Sequence, residues 1–519
     1  MLRCLFTLVI AVVAGAGCPG GNGRVGDACG GNDDCADVLQ CLNRSCVARC
    51  KQAPDCGDGY SCDARGLCQP ALLEQSDGCH SEVECGPGLT CQLTGATDGA
   101  KQLVAKCNLE GPGHPAGFEC KDDQDCHAGT CALGHCVNLC RPETRDCAES
   151  ERCIPVPYPA LPNAMFPACL PAGGAITWSI PMNSPAAEIL LPFPDGARSA
   201  QLVMSVDDPT QKVGAKSVLS PSGERLYRLP CTPSTMPDAG CNAETSQDDY
   251  FRNPIRHRPG FGQSVLLIPS GSVTPPQPGM YRVDVSSFRP TDTTGSTIPQ
   301  VTAVVQLNPD KRMYLDLHFF FLDLTDHPCG GIMDDVTLSA STAENSPVFK
   351  NYLAAMRTMF FRSFIIDTIT YDDILKEPDL DSLDVANVGA LLRLGKFANG
   401  INVFFVRSLS PIGIQAFGPN PGPAGVAGTR QSGIVISLDT LCYRDWPVLA
   451  RITAHEMARY MGLYHNVELE VGQHPTWHDQ ITDNDFDDPR KNLMFFSESG
   501  ETGLSRAQSD LLMRSAVLR

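Results

Sequence analysis

HEMARYMGLYH, residues His455 to His465, is the stretch that decides how the C-terminal part of this chain folds. Positions four apart on a helix lie on one face, so a helix places positions 455 and 459 side by side. His455 can offer a ring nitrogen to a metal ion there, but Arg459 has no lone pair to donate. Gly462 can end the helix and let His465 turn back towards His455. The stretch therefore predicts a histidine site in which one ligand is missing.

The composition indicates an exported protein of several domains. The chain has 519 residues, and its 26 cysteines crowd into the first third. That length suits roughly two to four domains. The net charge is -19 without any basic run, so neither nucleic acid nor an anionic membrane surface is an expected partner. Such cysteine usage is typical of an oxidising location outside the cytoplasm.

The first residues are typical of a secretion signal. Arg3 precedes an apolar run, Leu5 to Val13, that is too short to span a bilayer. The following Gly15-Ala16-Gly17-Cys18 resembles a bacterial lipoprotein cleavage site, although a leucine usually stands where Gly15 does. The resemblance implies a signal peptide over residues 1–17, a lipid on Cys18, a tether over 18–27 and no other membrane contact. Ordinary cleavage, with Cys18 entering a disulfide, is the alternative.

Residues 28–171 are predicted to be disulfide-rich repeats. The cysteines form clusters of eight, four and eight, and the first and third share acidic residues before a C-x4-C-x3-C close. Each cluster is even once Cys18 is set aside, so every cysteine can pair locally, at about 2–4 kcal/mol per bridge. Zinc sites are the alternative, but an exported chain favours disulfides. The repeats suit a rigid spacer or a binding module.

Residues 172–308 are predicted to form an all-β sandwich. Short β-type runs alternate with glycine- and proline-rich turns, without helical periodicity. The candidate strands are 200–206, 264–268, 281–285 and 301–307. GMYRVDVSS, residues 279–287, resembles a late strand of the jelly-roll domains that accompany secreted bacterial proteases. Cys231 and Cys241 flank a proline-containing loop and are candidates for a bridge. The region is a structural domain or, alternatively, a binder of carbohydrate or protein.

From residue 309 to 519, alternating strands and helices predict an α+β domain. Residues 313–321 form a half-buried strand, with His318 on its outer face as a surface or edge residue. Ser346-Pro347 and Asp445-Trp446-Pro447 each begin a helix with a cap followed by proline. Residues 401–409 and 432–439 are two more strands. Cys329 and Cys442 are candidates for a bridge that closes the domain.

This region resembles the metzincin clan of zincin metallopeptidases, most closely its pappalysin-type secreted bacterial members. The resemblance rests on HEMARYMGLYH, the acidic loop 481–488, the triplet 492–494 (NLM) and a final helix containing S-x-x-Q. It implies zinc-dependent hydrolysis of peptide bonds in a protein or peptide substrate. His455 and His465 are the implied zinc ligands and Glu456 the implied general base.

The resemblance also assigns structural positions. Gly462 ends the metal-binding helix, and Met494 lies under the metal. An edge strand that carries Ile434 and Ile436 pairs with extended peptide substrate, by backbone hydrogen bonds that accept almost any sequence. An ordinary buried strand at Ile434 and Ile436 is the alternative.

Arg459 replaces the second zinc ligand of that pattern. Besides removing a ligand, it adds a positive charge, and a unit charge pair at 4 Å is worth about 4 kcal/mol at an effective dielectric of 20, twice that for zinc. Glu456, three residues earlier, is one predicted ion-pair partner for Arg459. Replacement ligands could come from the segment that follows: His474, His478, Asp479 or Asp483. The acidic loop itself is a solvated turn or a calcium site.

Two functions therefore follow from the sequence. The expected one is a metzincin-like domain that keeps the peptide cleft but has lost zinc-dependent hydrolysis, and so binds protein or surface polymer. The alternative is an active zinc endopeptidase with an unusual third ligand.

Overall fold

A computed structural model of the chain describes residues 39–42, 45–48, 51, 60–62, 68–70, 75, 77–97, 103–142, 144, 146–159, 161–229, 254–271, 276–290, 293–307, 313–322, 324, 338–375, 377–468, 477–478, 481 and 487–519. The predicted signal peptide, the tether and Cys18 lie outside these residues, as do Cys231, Cys241 and Cys329. The chain divides into two compact units, one within residues 1–131, 135–154 and 166–170, the other within 132–134, 155–165 and 171–519.

The N-terminal part consists of short strands, most of them in hairpins. These are β1 (Leu39–Leu42), β2 (Ser45–Ala48), β3 (Tyr60–Cys62), β4 (Cys68–Pro70), β5 (Gly78–Cys79), β6 (Leu89–Thr97), β7 (Leu103–Leu109), β8 (Cys131–Ala132), β9 (His135–Cys136), β10 (Glu151–Tyr158) and β11 (Leu161–Pro171). They pair as β1–β2, β3–β4, β8–β9 and β10–β11, and β5–β7–β6 is a three-stranded sheet. Modules this small bury little apolar surface and depend on cross-links for stability.

Six described disulfides confirm the predicted local pairing. In each group of four successive cysteines the first bonds the third and the second bonds the fourth. The bridges are Cys79–Cys91, Cys85–Cys107, Cys120–Cys131, Cys126–Cys136, Cys140–Cys153 and Cys147–Cys169. Cys46 of the first cluster is also disulfide-bonded.

The acidic residues that precede a cysteine hold the disulfide loops in place. Glu82 lies in a 3₁₀ turn before Cys85 and accepts a hydrogen bond of 3.1 Å from the N–H of Cys91. Asp123 lies in the equivalent turn and accepts one of 2.8 Å from the N–H of Cys131. The second and third clusters therefore share a structural feature, in which an acid caps the strand of the third cysteine in a group of four.

The middle of the chain forms two antiparallel sheets. Its strands are β12 (Ala175–Ile180), β13 (Ala186–Phe193), β14 (Ser199–Ser205), β15 (Lys212–Leu219), β16 (Arg225–Arg228), β17 (Arg256–His257), β18 (Gly260–Phe261), β19 (Gln263–Ile268), β20 (Gly279–Phe288) and β21 (Gln300–Gln306). One sheet has the order β12–β21–β14–β19–β17, and the other β13–β20–β15–β16 with β18 against β15. The predicted all-β character is thus confirmed, and all four predicted strands are present.

His257 joins the two sheets. Its Nε2 accepts a 2.9 Å hydrogen bond from the backbone N–H of Ala215 on β15, and its Nδ1 lies 2.9 Å from the carbonyl oxygen of Val265 on β19. Burial lowers the pKa of His257 to about 4, so the ring is neutral at physiological pH.

The C-terminal part alternates strands and helices around a mixed sheet. The strands are β22 (Tyr314–Leu322), β23 (Ile365–Ile374), β24 (Ser382–Asp384), β25 (Ile401–Val406), β26 (Ser408–Ser410), β27 (Ala416–Phe417), β28 (Ile434–Ser437), β29 (Val467–Glu468) and β30 (Trp477–His478). The helices are α1 (Ala340–Ala343), α2 (Pro347–Phe360), α3 (Val388–Leu392), α4 (Trp446–Tyr460) and α5 (Arg506–Leu512). Small pairs are β24–β26 and β29–β30.

The strand order of the mixed sheet corrects one prediction. The order is β23–β22–β25–β28–β27; all neighbours are parallel except β27, which is antiparallel to β28. Ile434 and Ile436 are therefore not on an edge strand but lie buried between two strands. The edge is β27, a two-residue strand from the glycine- and proline-rich loop that precedes β28.

The prediction for His318 was wrong in a similar way. His318 is buried, with Nδ1 2.8 Å from the hydroxyl of Thr370 and Nε2 2.8 Å from the carbonyl oxygen of Asn399. Because β22 is central in the sheet, both of its faces are covered: α2 and α4 pack on one, and a second buried cluster around Phe320 and Leu391 covers the other. His318 is structural.

The β-sheets of the middle region and the mixed sheet share one core. Leu267 of β19 and Val304 of β21 belong to the same buried cluster as residues of α4. Gln306 donates from Nε2 to the carbonyl oxygens of Ser515 at 3.0 Å and Leu518 at 3.3 Å. Residues 171–519 thus lie within one compact unit. In the part of the chain that the structure describes, no helix has the length and apolar character to cross a membrane.

Candidate functional site

Helix α4 begins and ends as the sequence predicts. The side chain of Asp445 accepts a 3.2 Å hydrogen bond from the N–H of Val448, and Pro447 stands in the first turn. At the other end Gly462 has a φ of +106°, and Leu463 donates to the carbonyl oxygen of Ala458 at 3.0 Å. This is the Schellman arrangement, in which a left-handed glycine reverses the chain after the last turn. The reversal brings His465 back over α4.

The position of His455 is fixed by the segment around Met494. Its Nδ1 lies 2.8 Å from the carbonyl oxygen of Leu493, so Nδ1 carries the proton and Nε2 presents an electron pair. A carbonyl partner of this kind is what orients metal-binding histidines in proteins. Burial, together with the nearby His465 and Arg459, holds the pKa of His455 well below its ordinary value.

The spacing of the two histidines fits a metal ion. Nε2 of His465 lies 3.1 Å from Nε2 of His455. Two nitrogen ligands about 2.0–2.1 Å from a tetrahedral zinc would be about 3.3–3.4 Å apart, so the pair needs to open by only a few tenths of an ångström. Two of the three ligands that the sequence pattern implies are therefore brought together.

Arg459 does not fit a metal ion at the same place. Its Nη1 donates a hydrogen bond of 3.2 Å to Nε2 of His465, the atom that would bind zinc. A catalytic zinc needs three protein ligands and a water, whereas here two ligands face a guanidinium. The predicted ion pair between Arg459 and Glu456 is not formed. The turn at Gly462 brings His465 within reach, and Arg459 bonds that ring instead.

The three nitrogen atoms cannot all be satisfied while both rings are neutral. Arg459 always donates, so His465 must offer it the electron pair of Nε2. His455 also offers an electron pair from Nε2, and the two pairs then face each other across 3.1 Å. If His465 carries its proton on Nε2, it bonds His455 but Arg459 loses its acceptor. Arg459 thus has no acceptor of its own in this cluster.

Glu456 lies between α4 and the edge strand. Gly418 directly follows β27, and a Cβ on it would lie 2.6 Å from Oε2 of Glu456. No described residue makes a hydrogen bond to that oxygen. Burial raises the pKa of Glu456 above its ordinary value. The rise is opposed by the charges of Arg459 and His465 and by a hydrogen bond from the backbone amide of Gly418. The carboxyl group therefore lies against the residue that follows the edge strand.

The turn that carries Met494 is held by groups that sequence reasoning did not identify. Arg451, one turn before His455, donates from Nη2 to the carbonyl oxygens of Leu493 at 3.0 Å and Phe495 at 3.2 Å. The amide of Asn492 donates to Gln508 at 2.8 Å and accepts the N–H of Met494 at 2.8 Å. Met494 itself is fully buried, in the core cluster of α4. A polar residue on the inner face of a predicted helix was the available signal for Arg451.

The β-sheets of the middle region support the turn at His465. The guanidinium of Arg256 on β17 lies 4.4 Å above the ring of Tyr464. A Cβ on Gly462 would meet the side chain of Leu267 at 2.8 Å, so only glycine fits between α4 and β19. Gln201 on β14 donates to the carbonyl oxygen of Gly422 at 2.6 Å. None of these contacts has a sequence signal, because each joins residues far apart in the chain.

Several predicted residues remain untested. His474, Asp479 and Asp483 lie outside the described residues, and His478 lies on β30, opposite Val467. The acidic loop predicted as a calcium site is mostly outside them as well. Cys442 is disulfide-bonded, while its predicted partner Cys329 is not described.

No family model matches the chain. Among curated proteins the chain is similar to Turripeptide OL55-like from Lophiotoma acuta, at 27% identity over 111 residues. The match covers 20% of this chain and 98% of that protein. Together with the disulfides, this similarity indicates an exported protein.

Proposed function

We propose that residues 309–519 are a metzincin-like domain that has lost zinc-dependent peptide hydrolysis and now serves as an exported module for binding extended peptide. The observation that carries the proposal is the 3.2 Å hydrogen bond from Nη1 of Arg459 to Nε2 of His465. It engages a prospective metal ligand with a cation that cannot be deprotonated.

The loss of hydrolysis follows from what Arg459 does to the other groups. Because Nε2 of His465 is bonded to a guanidinium, only the electron pair on Nε2 of His455 is available to coordinate a metal ion. Glu456 remains buried beside the cleft, but a general base needs an activated water to work on. The catalytic side chains are thus present in part, without the arrangement that makes them a hydrolytic unit.

Binding of extended peptide is supported by the edge strand. β27 pairs with β28 on one side, and no described strand pairs with its other side. An open edge offers backbone N–H and C=O groups that can add a further strand. Gly418 keeps the end of this edge close to α4. The expected ligand is therefore a protein or peptide segment in extended conformation.

The rest of the chain suits presentation of this domain outside the cell. The disulfide-bonded modules act as a spacer, and a lipid on Cys18 would hold the chain at the cell envelope of a bacterium. The all-β region serves as the support of the C-terminal domain, since both share one core.

A zinc endopeptidase with an unusual third ligand is the second candidate. The observation in its favour is the 3.1 Å separation of Nε2 of His455 from Nε2 of His465. This distance is only a few tenths of an ångström shorter than the separation of two nitrogen ligands on a tetrahedral zinc. It needs Arg459 to swing away and a ligand from residues 469–486 to take its place.

Elemental analysis and a casein assay decide between the candidates. The full chain, purified from an oxidising compartment, is expected to hold far less than one zinc per chain and to show no chelator-sensitive cleavage of casein. Glu456→Gln is expected to change neither of these two results. Close to one zinc per chain, with casein cleavage that a chelator and Glu456→Gln both abolish, would establish the peptidase instead.

A further inference from the structure

We infer that Arg459 anchors the free C-terminal carboxylate of a peptide bound along β27, an inference that rests on the peptide cleft proposed above. A guanidinium carries five N–H donors in a planar fork that matches a carboxylate. Arg459 donates one of these N–H groups to His465, and its Nε is buried without a hydrogen-bond partner among the described residues. The donors are present, and among the described residues only His465 accepts a hydrogen bond from them.

The acceptor that Arg459 has on His465 is shared. Nε2 of His465 lies 3.2 Å from Nη1 of Arg459, which needs an acceptor, and 3.1 Å from Nε2 of His455, which needs a donor. When a ligand oxygen accepts from Arg459, Nε2 of His465 can donate to Nε2 of His455, and the conflict between these three nitrogen atoms ends. An incoming carboxylate therefore relieves a conflict that the unliganded cluster contains.

The location suits a chain terminus. The end of β27 meets α4 at Glu456, where Gly418 approaches the carboxyl group. Arg459 is three residues further along the same helix, and such residues are neighbours about 5–6 Å apart between Cβ atoms. A peptide paired with β27 thus reaches Arg459 within one or two residues of leaving the edge.

The charge of the ligand group follows from the chemistry of the fork. A carbonyl oxygen in mid-chain is neutral and offers one oxygen, whereas a terminal carboxylate offers two and a negative charge. Charge-assisted, bidentate hydrogen bonds are shorter and stronger than neutral ones. Arg451 does not compete for the ligand, because it donates to the carbonyl oxygens of Leu493 and Phe495. The site is therefore expected to prefer peptides that end there over peptides that pass through.

The test compares peptide pools on the immobilised full chain, with retained peptides counted by mass spectrometry. One pool of acetylated random hexapeptides lacking Asp and Glu ends in a free carboxylate, and a second ends in an amide. A third, also amidated, contains one glutamate. The first pool is expected to be retained at least tenfold more than the second. Arg459→Gln abolishes this preference, Arg459→Lys keeps part of it, and the exposed Arg393→Gln leaves it unchanged.

Each other outcome overturns a definite statement. Equal retention of the acid and amide pools refutes the carboxylate anchor and leaves the peptide cleft standing. Retention of the glutamate pool at the level of the free-acid pool refutes the assignment to a chain terminus. No retention of any pool, by a chain whose near-ultraviolet circular dichroism shows it folded, refutes both the anchor and the proposed peptide-binding function.

Discussion

Arg459→His is expected to turn the cluster into a zinc site. The substitution supplies a third imidazole on the face of α4 that already carries His455, and it frees Nε2 of His465 from the guanidinium. The other parts are in place: His455 is oriented by Leu493, and the two Nε2 atoms are 3.1 Å apart. The fold need not change.

The gain in affinity can be worked from the charges alone. A guanidinium about 4 Å from a dication, at an effective dielectric of about 20, is repelled by about 8 kcal/mol. If the flexible side chain relieves half of this by turning away, about 4 kcal/mol remains, which is about a thousandfold in the dissociation constant. The added ligand increases the gain further.

Competition against a fluorescent zinc indicator measures this change. Arg459→Gln removes the charge without adding a ligand and should lie between the native chain and Arg459→His. Arg393→His adds an exposed histidine elsewhere and should behave like the native chain. The reasoning fails if the native chain already binds zinc within tenfold of Arg459→His, or if Arg459→His gains no affinity over Arg459→Gln.

Three further predictions concern residues around the site and its support. Burial lowers the pKa of His257 to about 4, so the unfolded chain takes up its proton first as the pH falls below 6.5. The free energy of unfolding of the native chain should therefore fall between pH 7 and pH 4.5. In His257→Gln this fall should be smaller by about 2 kcal/mol, as measured by urea unfolding at the two pH values. Asn492→Ala leaves the buried Nε2 of Gln508 without its acceptor, which should lower the free energy of unfolding by about 2–3 kcal/mol; a loss below about 0.5 kcal/mol would contradict the pairing. Gly418→Ala places a methyl group 2.6 Å from Oε2 of Glu456 and 3.2 Å from its backbone oxygen, so the carboxyl group must shift, and the crowding at the end of β27 should lower peptide retention at least fivefold in the pool assay. Unchanged retention by Gly418→Ala would show that peptide does not bind along β27.

Features with a local cause could be predicted from the sequence. The start of α4 depends on Asp445 and Pro447, and its end on Gly462, all within a few residues of the helix itself. The pairing of the cysteines within clusters followed from their number and from short loops. In such cases neighbouring residues alone select the conformation.

Features that depend on distant neighbours could not. β27 is two residues long, and its partner is selected by the sheet, so no alternation marks it as a strand. His318 looks like an exposed polar residue until Phe320 and Leu391 are seen to cover its face. The sequence predicts that Arg459 stands in place of a metal ligand, but the hydrogen-bond partner of Arg459 depends on the turn at Gly462. This turn brings His465, six positions later, closer to Arg459 than Glu456 is.

The contacts that hold α4 have a consequence for the history of such a chain. The carbonyl oxygen of Leu493 accepts hydrogen bonds from both Arg451 and His455, and buried apolar residues pack α4 into the core. These ties are made by protein atoms, so the helix does not depend on an ion for its position. A ligand lost by mutation then removes a reaction without removing the fold, and selection can keep the surface for another use. A small zinc-dependent module unfolds without its metal, so the loss of a ligand there removes the fold together with any surface that could serve another function.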